Sequence, residues 1–137
     1  MRSHRPIALA MTAVLLFGGA ACGGDDSDSA APTTTAAENV IVPDATVTKG
    51  LASTQQLLTD IQSGKEADKT AAVAKAFDGW YAYEGTIKKN EVGMYLDFED
   101  ALAAFQKAIK ASNTADATTA ATKFATTAQT YLGKHPG

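Results

Sequence analysis

Two glutamates in the second half of the chain stand where the pattern calls for apolar residues. Glu84 lies seven residues after Phe77 and three before Ile87, and Glu99 lies four after Tyr95 and three before Leu102. At helical spacing both acids fall on the inward stripe of their segments. They are also equidistant from a turn centred between residues 91 and 92, so an antiparallel pair of helices brings them to one height, ringed by Trp80, Tyr83 and Tyr95. Close carboxylates in a low-dielectric site cannot both stay ionised without a cation or hydrogen-bond donors between them.

Three outcomes are open for this pair. Helical bundles build metal sites from inward glutamates on facing helices, which makes Glu84 and Glu99 candidate ligands of iron or another divalent cation. Tyrosine hydroxyls, Lys88 or a shared proton could instead satisfy the acids as a structural polar seam. A different stripe phase would put one acid in water. The complete di-iron pattern needs two Glu-x-x-His units, and the only histidines are His4 and His135, so a full di-iron oxidase is excluded. Trp80, Tyr83 and Tyr95 could line a ligand groove, or simply fill the core. Asp97 and Asp100 suit the positive end of a helix, and Lys75, Lys107 and Lys110 read as a solvated face.

The sequence gives no support for catalysis. It carries no Ser/His/Asp or Cys/His set, no glycine-rich phosphate loop and no histidine cluster, so the expectation is a protein that is not an enzyme.

The elements that must position the acids are helices. From Asp44 onward four apolar stripes at helical spacing are separated by break signals, and no strand pattern competes. The first runs Val47, Leu51, Leu58, Ile61, with Asp44 as N-cap and Gly64 as its end. The second, opened by a capping box at Ser63 and Glu66, runs Val73, Phe77, Trp80, Glu84, Ile87. After a turn at Asn90 to Gly93, the third has Val92 or Tyr95 near its start, then Glu99, Leu102, Gln106 and Ile109, with Phe98 and Phe105 on a neighbouring face. The Ser112-Asn113-Thr114 cluster precedes the fourth, which carries Ala117, Ala121, Phe124, Ala128 and Tyr131. Short connections make neighbours antiparallel, so the expected fold is all-α, an up-down-up-down four-helix bundle over residues 44–135. Much of its apolar share is alanine, which buries little per residue, so the core should be thin.

What precedes the bundle reads as address and tether. Residues 1–21 have a positive start with Arg2 and Arg5, an apolar run from Ile7 to Phe17, and small residues Gly18 to Ala21, the three parts of a secretory signal. Cys22 is the only cysteine, so no internal disulfide can form. Residues 22–43, beginning Gly23-Gly24-Asp25-Asp26-Ser27-Asp28-Ser29 after the cysteine, are polar and without periodicity, a disordered linker. Two of the 12 basic residues, Arg2 and Arg5, leave with the signal, so ten face 15 acidic ones. That balance argues against nucleic acid as a partner.

The stretch Leu15-Leu16-Phe17-Gly18-Gly19-Ala20-Ala21-Cys22 resembles the lipobox of bacterial lipoproteins, with Gly19 where leucine is usual. The resemblance implies diacylglyceryl attachment at Cys22 and a place on the extracytoplasmic face of the cell membrane. Two acyl chains suffice for stable anchoring. The segment Phe77-Asp78-Gly79-Trp80-Tyr81-Ala82-Tyr83-Glu84-Gly85, with Tyr95-Leu96-Asp97-Phe98-Glu99-Asp100-Ala101-Leu102, is similar to helical modules of bacterial iron uptake. These are the imelysin-like lipoproteins and the extracytoplasmic helical part of ferrous-iron permease systems. Only Glu84 and Glu99 correspond to acids of that pattern, and the Gly-x-His-x-x-Glu motif of imelysin-like proteins is absent. The resemblance implies a non-enzymatic envelope lipoprotein that binds a metal ion or small ligand, or assists an envelope transporter in iron uptake. The alternative is a docking module for another envelope protein, with no ligand.

Overall fold

The computed structural model describes residues 40–137; the expected signal segment, Cys22 and most of the linker lie outside the described residues. The described part is all-α, with five helices: α1 (Asp44–Gln62), α2 (Lys69–Tyr81), α3 (Glu84–Asn90), α4 (Val92–Lys110) and α5 (Thr114–Lys134). None of them is long and apolar enough to cross a membrane.

Helix ends follow local chemistry, not always at the expected residue. Pro43, not Asp44, stands at the N-cap of α1, with Asp44 as the first helical residue. Ser63 closes α1 rather than opening the next helix. Gly64, at φ 74°, lets Lys65 N–H donate to the Asp60 carbonyl at 3.0 Å and its own N–H to that of Ile61 at 3.3 Å. Asp68 caps α2, its carboxylate accepting from Ala71 N–H at 3.0 Å, in place of the expected Ser63/Glu66 box. The α4–α5 turn repeats the α1 ending, with Ser112 at φ 54° where glycine is usual; Asn113 then caps α5 by accepting from Asp116 N–H.

The expected second helix is two. It stops at Tyr81 and restarts at Glu84, because Tyr83, at φ −139°, turns its ring toward α1 and places its hydroxyl 2.9 Å from Thr54 Oγ1. The stripe nevertheless keeps its inward side: Val73, Trp80, Glu84 and Ile87 are buried and Phe77 is half-buried.

α4 and α5 fold back on one another. Phe98 and Phe124 rings meet at 5.0 Å, Lys123 Nζ lies 3.2 Å from Asp97, and at the far end Lys134 Nζ lies 3.1 Å from Glu91. Residue numbers thus fall along α5 as they rise along α4, and this pair shares the most extensive interface. α1 packs against both α2 and α5, and α3 lies on α4. On α4 the deepest residues are Phe98, Leu102 and Phe105 with Ala101 and Ala108. The stripe is therefore rotated from the expected one: Glu99, Gln106 and Ile109 sit at its half-buried margin, and Val92 is 61% exposed. The bulkiest buried side chains are aromatic, Trp80, Tyr131, Phe98, Phe105 and Phe124, which offsets the small alanines of α5.

Candidate functional site

Trp80 is the hub of the region that holds both acids. Its indole is fully buried and meets Phe98 at 5.1 Å, Tyr83 edge-on at 5.4 Å, Tyr95 at 6.1 Å and Phe124 at 6.5 Å. An indole N–H inside such a cluster needs an acceptor. It finds one in Glu99, donating from Nε1 to Oε1 at 2.6 Å, a charge-assisted distance. Glu99 is half-buried, at the edge of the α2–α4 seam.

Glu84 is the first residue of α3 and is 1% exposed. Lys88 follows on the same helical face, and its Nζ lies 5.0 Å from the centre of the Tyr95 ring on α4. Burial pushes the neighbouring Tyr83 hydroxyl far above the ordinary tyrosine value; the bond to Thr54 opposes this and the Glu84 charge reinforces it. Trp80, Tyr83 and Tyr95 are thus assembled in one cluster, each less than a tenth exposed, with Glu99 bonded to its centre. The Trp80 ring contacts both tyrosine rings and the core rings of Phe98 and Phe124.

Among the described residues no group of three or more His, Cys, Asp or Glu side chains is arranged to hold a metal ion. A cation taken between the helices would have at most two carboxylates from the described residues and would complete its shell with other oxygen donors. Two openings lie elsewhere. A cleft of about 90 Å³ beside the α4–α5 turn is lined by Gln62, Lys69, Asn113 and Thr114 among others. An open groove of about 310 Å³ between α1 and α5 is lined by threonine, glutamine and alanine.

Three polar features were not foreseen. Thr54 sits in the α1 stripe between Leu51 and Leu58 and is buried, and its place in the period is the signal that marks it. Glu91, between α3 and α4, accepts from Lys134 at 3.1 Å and lies 3.4 Å from His135 Nε2, whose ring stacks on Tyr131 at 4.7 Å. The third is a strap. Val42 N–H donates to Thr86 Oγ1 at 2.7 Å, and that hydroxyl donates back to the Val42 carbonyl at 3.0 Å. The last four residues of the expected linker are thereby seated on α3.

Comparison of the chain with protein-family models, with curated proteins and with solved structures found no match.

Proposed function

We propose that the protein is an extracytoplasmic lipoprotein, anchored in the cell membrane through Cys22, whose helical domain binds rather than catalyses. Its ligand is a divalent cation such as iron, or a small polar molecule, taken between Glu84 and Glu99 in support of an envelope transporter. In this reading α2 and α3 act as one bent rod, and four rods run up-down-up-down; the α4–α5 pairing and the Thr54–Tyr83 bond between α1 and the bend support it.

The observation that carries the proposal is a carboxyl side chain 1% exposed at the head of a short helix, beside an aromatic hub already bonded to a second carboxylate. Burying an ionised carboxylate costs on the order of several kcal/mol, far more than an apolar residue in its place. A pair of carboxylates suits an exchangeable, oxygen-preferring or borderline cation, not a permanently caged one.

The test is metal content and melting temperature of the purified chain with Fe²⁺, Fe³⁺, Cu²⁺ and Zn²⁺. A cation that binds the folded state raises the midpoint, and Glu84→Gln with Glu99→Gln should abolish the rise. No shift with any cation refutes cation binding. Cys22→Ser should move the protein from the membrane fraction to the soluble one; unchanged fractionation refutes the anchor.

A second reading, docking to another envelope protein, is favoured by Val92 and Leu96. They are 61% and 57% exposed and one turn apart on the outer face of α4. Under it, Val92→Lys with Leu96→Lys releases a membrane partner while the cations have no effect.

A further inference from the structure

The strap and the short helix beneath it meet at one corner of the fold. α3 has only seven residues, too few to be stable alone, and non-helical backbone bounds it on both sides, at Tyr83 (φ −139°, ψ −7°) and Glu91 (φ −148°, ψ 78°). Tertiary contacts on its two faces therefore hold it in place. On the inner face are Glu84 and Lys88, one turn apart, with Lys88 against Tyr95 of α4. Thr86 lies about half a turn round from them with Gly85 on the flank between, and the extended segment Val40 to Pro43 crosses there. Thr86 clamps it with the reciprocal pair of hydrogen bonds to Val42. Gly85 admits it: a Cβ at that position would stand 2.5 Å from the Val40 carbonyl oxygen and 3.1 Å from its nitrogen. The order across this corner is strap, α3, α4, with Glu84 on the α4 side.

We propose that residues 40–43 are a strap that locks α3 as a hinged flap over Glu84, and that displacing the strap opens this carboxyl to solvent and ligand. Its purpose rests on the use of Glu84 proposed above; the opening itself does not. Ile87, fully buried on α3, supplies the closing force, so the flap is shut at rest and the strap sets how rarely it lifts. Because the strap continues directly into the linker, a pull on the linker acts first on the Val40–Gly85 and Val42–Thr86 contacts.

The experiment uses the full chain and three variants. Thr86→Val keeps the branched shape and removes both hydrogen bonds, Thr86→Ser keeps the hydroxyl, and Gly85→Ala pushes Val40 away. Glu84 is coupled to a small amine with a water-soluble carbodiimide and quantified by peptide mass spectrometry, alongside hydrogen exchange of Val42, α3 and the α4–α5 core. Thr86→Val should raise both Glu84 coupling and α3 exchange about tenfold, the loss of two hydrogen bonds, with the α4–α5 amides unchanged and Thr86→Ser close to the parent chain. Glu84 coupling that stays flat in a variant whose Val42 amide exchanges freely would overturn the proposal. So would a rise that occurs only in step with the α4–α5 core, or a Val42 amide protected in both Thr86→Val and Gly85→Ala. If Glu84 opens as expected and still no cation binds, the ligand reading fails and the strap stands.

Discussion

Replacing Gly50 by alanine should destabilise the protein, although alanine in the middle of a helix ordinarily stabilises. Gly50 lies inside α1, where the exchange is worth about 1 kcal/mol of helix propensity. A Cβ there would overlap the Tyr83 ring at Cδ1 and Cε1 and stand 3.0 Å from Cγ. That ring cannot step aside freely. Its hydroxyl is held by Thr54 and its edge is packed against Trp80. Overpacking a core of this kind costs roughly 1–3 kcal/mol. Losing the buried Thr54–Tyr83 bond adds about 1–3 kcal/mol. Subtracting the propensity gain leaves a net loss of about 3 kcal/mol, which for a domain of this size lowers the melting midpoint by roughly 15 °C. Thermal and urea unfolding of Gly50→Ala, beside Gly133→Ala as a control with nothing within 4 Å of its added methyl, measures the difference. A Gly50→Ala protein that melts at or above the parent midpoint would refute the packing assigned to Tyr83.

Acid should weaken the corner built on Glu91, whose carboxyl is held below its usual 4.5 first by the Lys134 bond and then by the His135 one. A depressed pKa gives stability that is present above the usual value and lost as pH falls through the depressed one; Glu91→Gln should flatten that acid limb in unfolding midpoints, and an unchanged limb would contradict the assignment. Tyr83 gives the opposite case: its pKa is raised, so its contribution is complete below the usual 10.0 and erodes as pH climbs beyond it. Tyr83→Phe should lessen the alkaline loss while lowering stability at neutral pH, both read from midpoints across the range. Ser112→Gly should stabilise by about 1 kcal/mol, because a side-chain-bearing residue at φ 54° pays a steric penalty that glycine avoids; a lower midpoint would refute the strain.

The all-α class and most inward residues were legible because they depend on local periodicity. Every α1 residue read as inward, Val47, Leu51, Leu58 and Ile61, is buried. What was not legible depends on partners far along the chain. The break before Glu84 exists because Tyr83 reaches Thr54, 29 residues earlier, and Gly85 yields to Val40, neither of which leaves a mark in the period. The α4 stripe offered two faces, and the choice went to Phe98 and Phe105 because two large rings bury more than Glu99, Gln106 and Ile109 can. Of the candidate site, the gathering of Trp80, Tyr83 and Tyr95 followed from spacing. The Trp80–Glu99 bond did not, since it needed the rotated phase that leaves Glu99 at the margin.

That bond also makes the protein its own reporter. Trp80 is the sole tryptophan of the chain, so all indole emission comes from one place. Its excited state is shielded from water and tied to a carboxylate whose charge shifts the emission colour. Any ion that draws Glu99 away, or any lifting of the neighbouring short helix, will change wavelength and lifetime without an added dye. The state of this corner can therefore be followed by light alone in the purified protein.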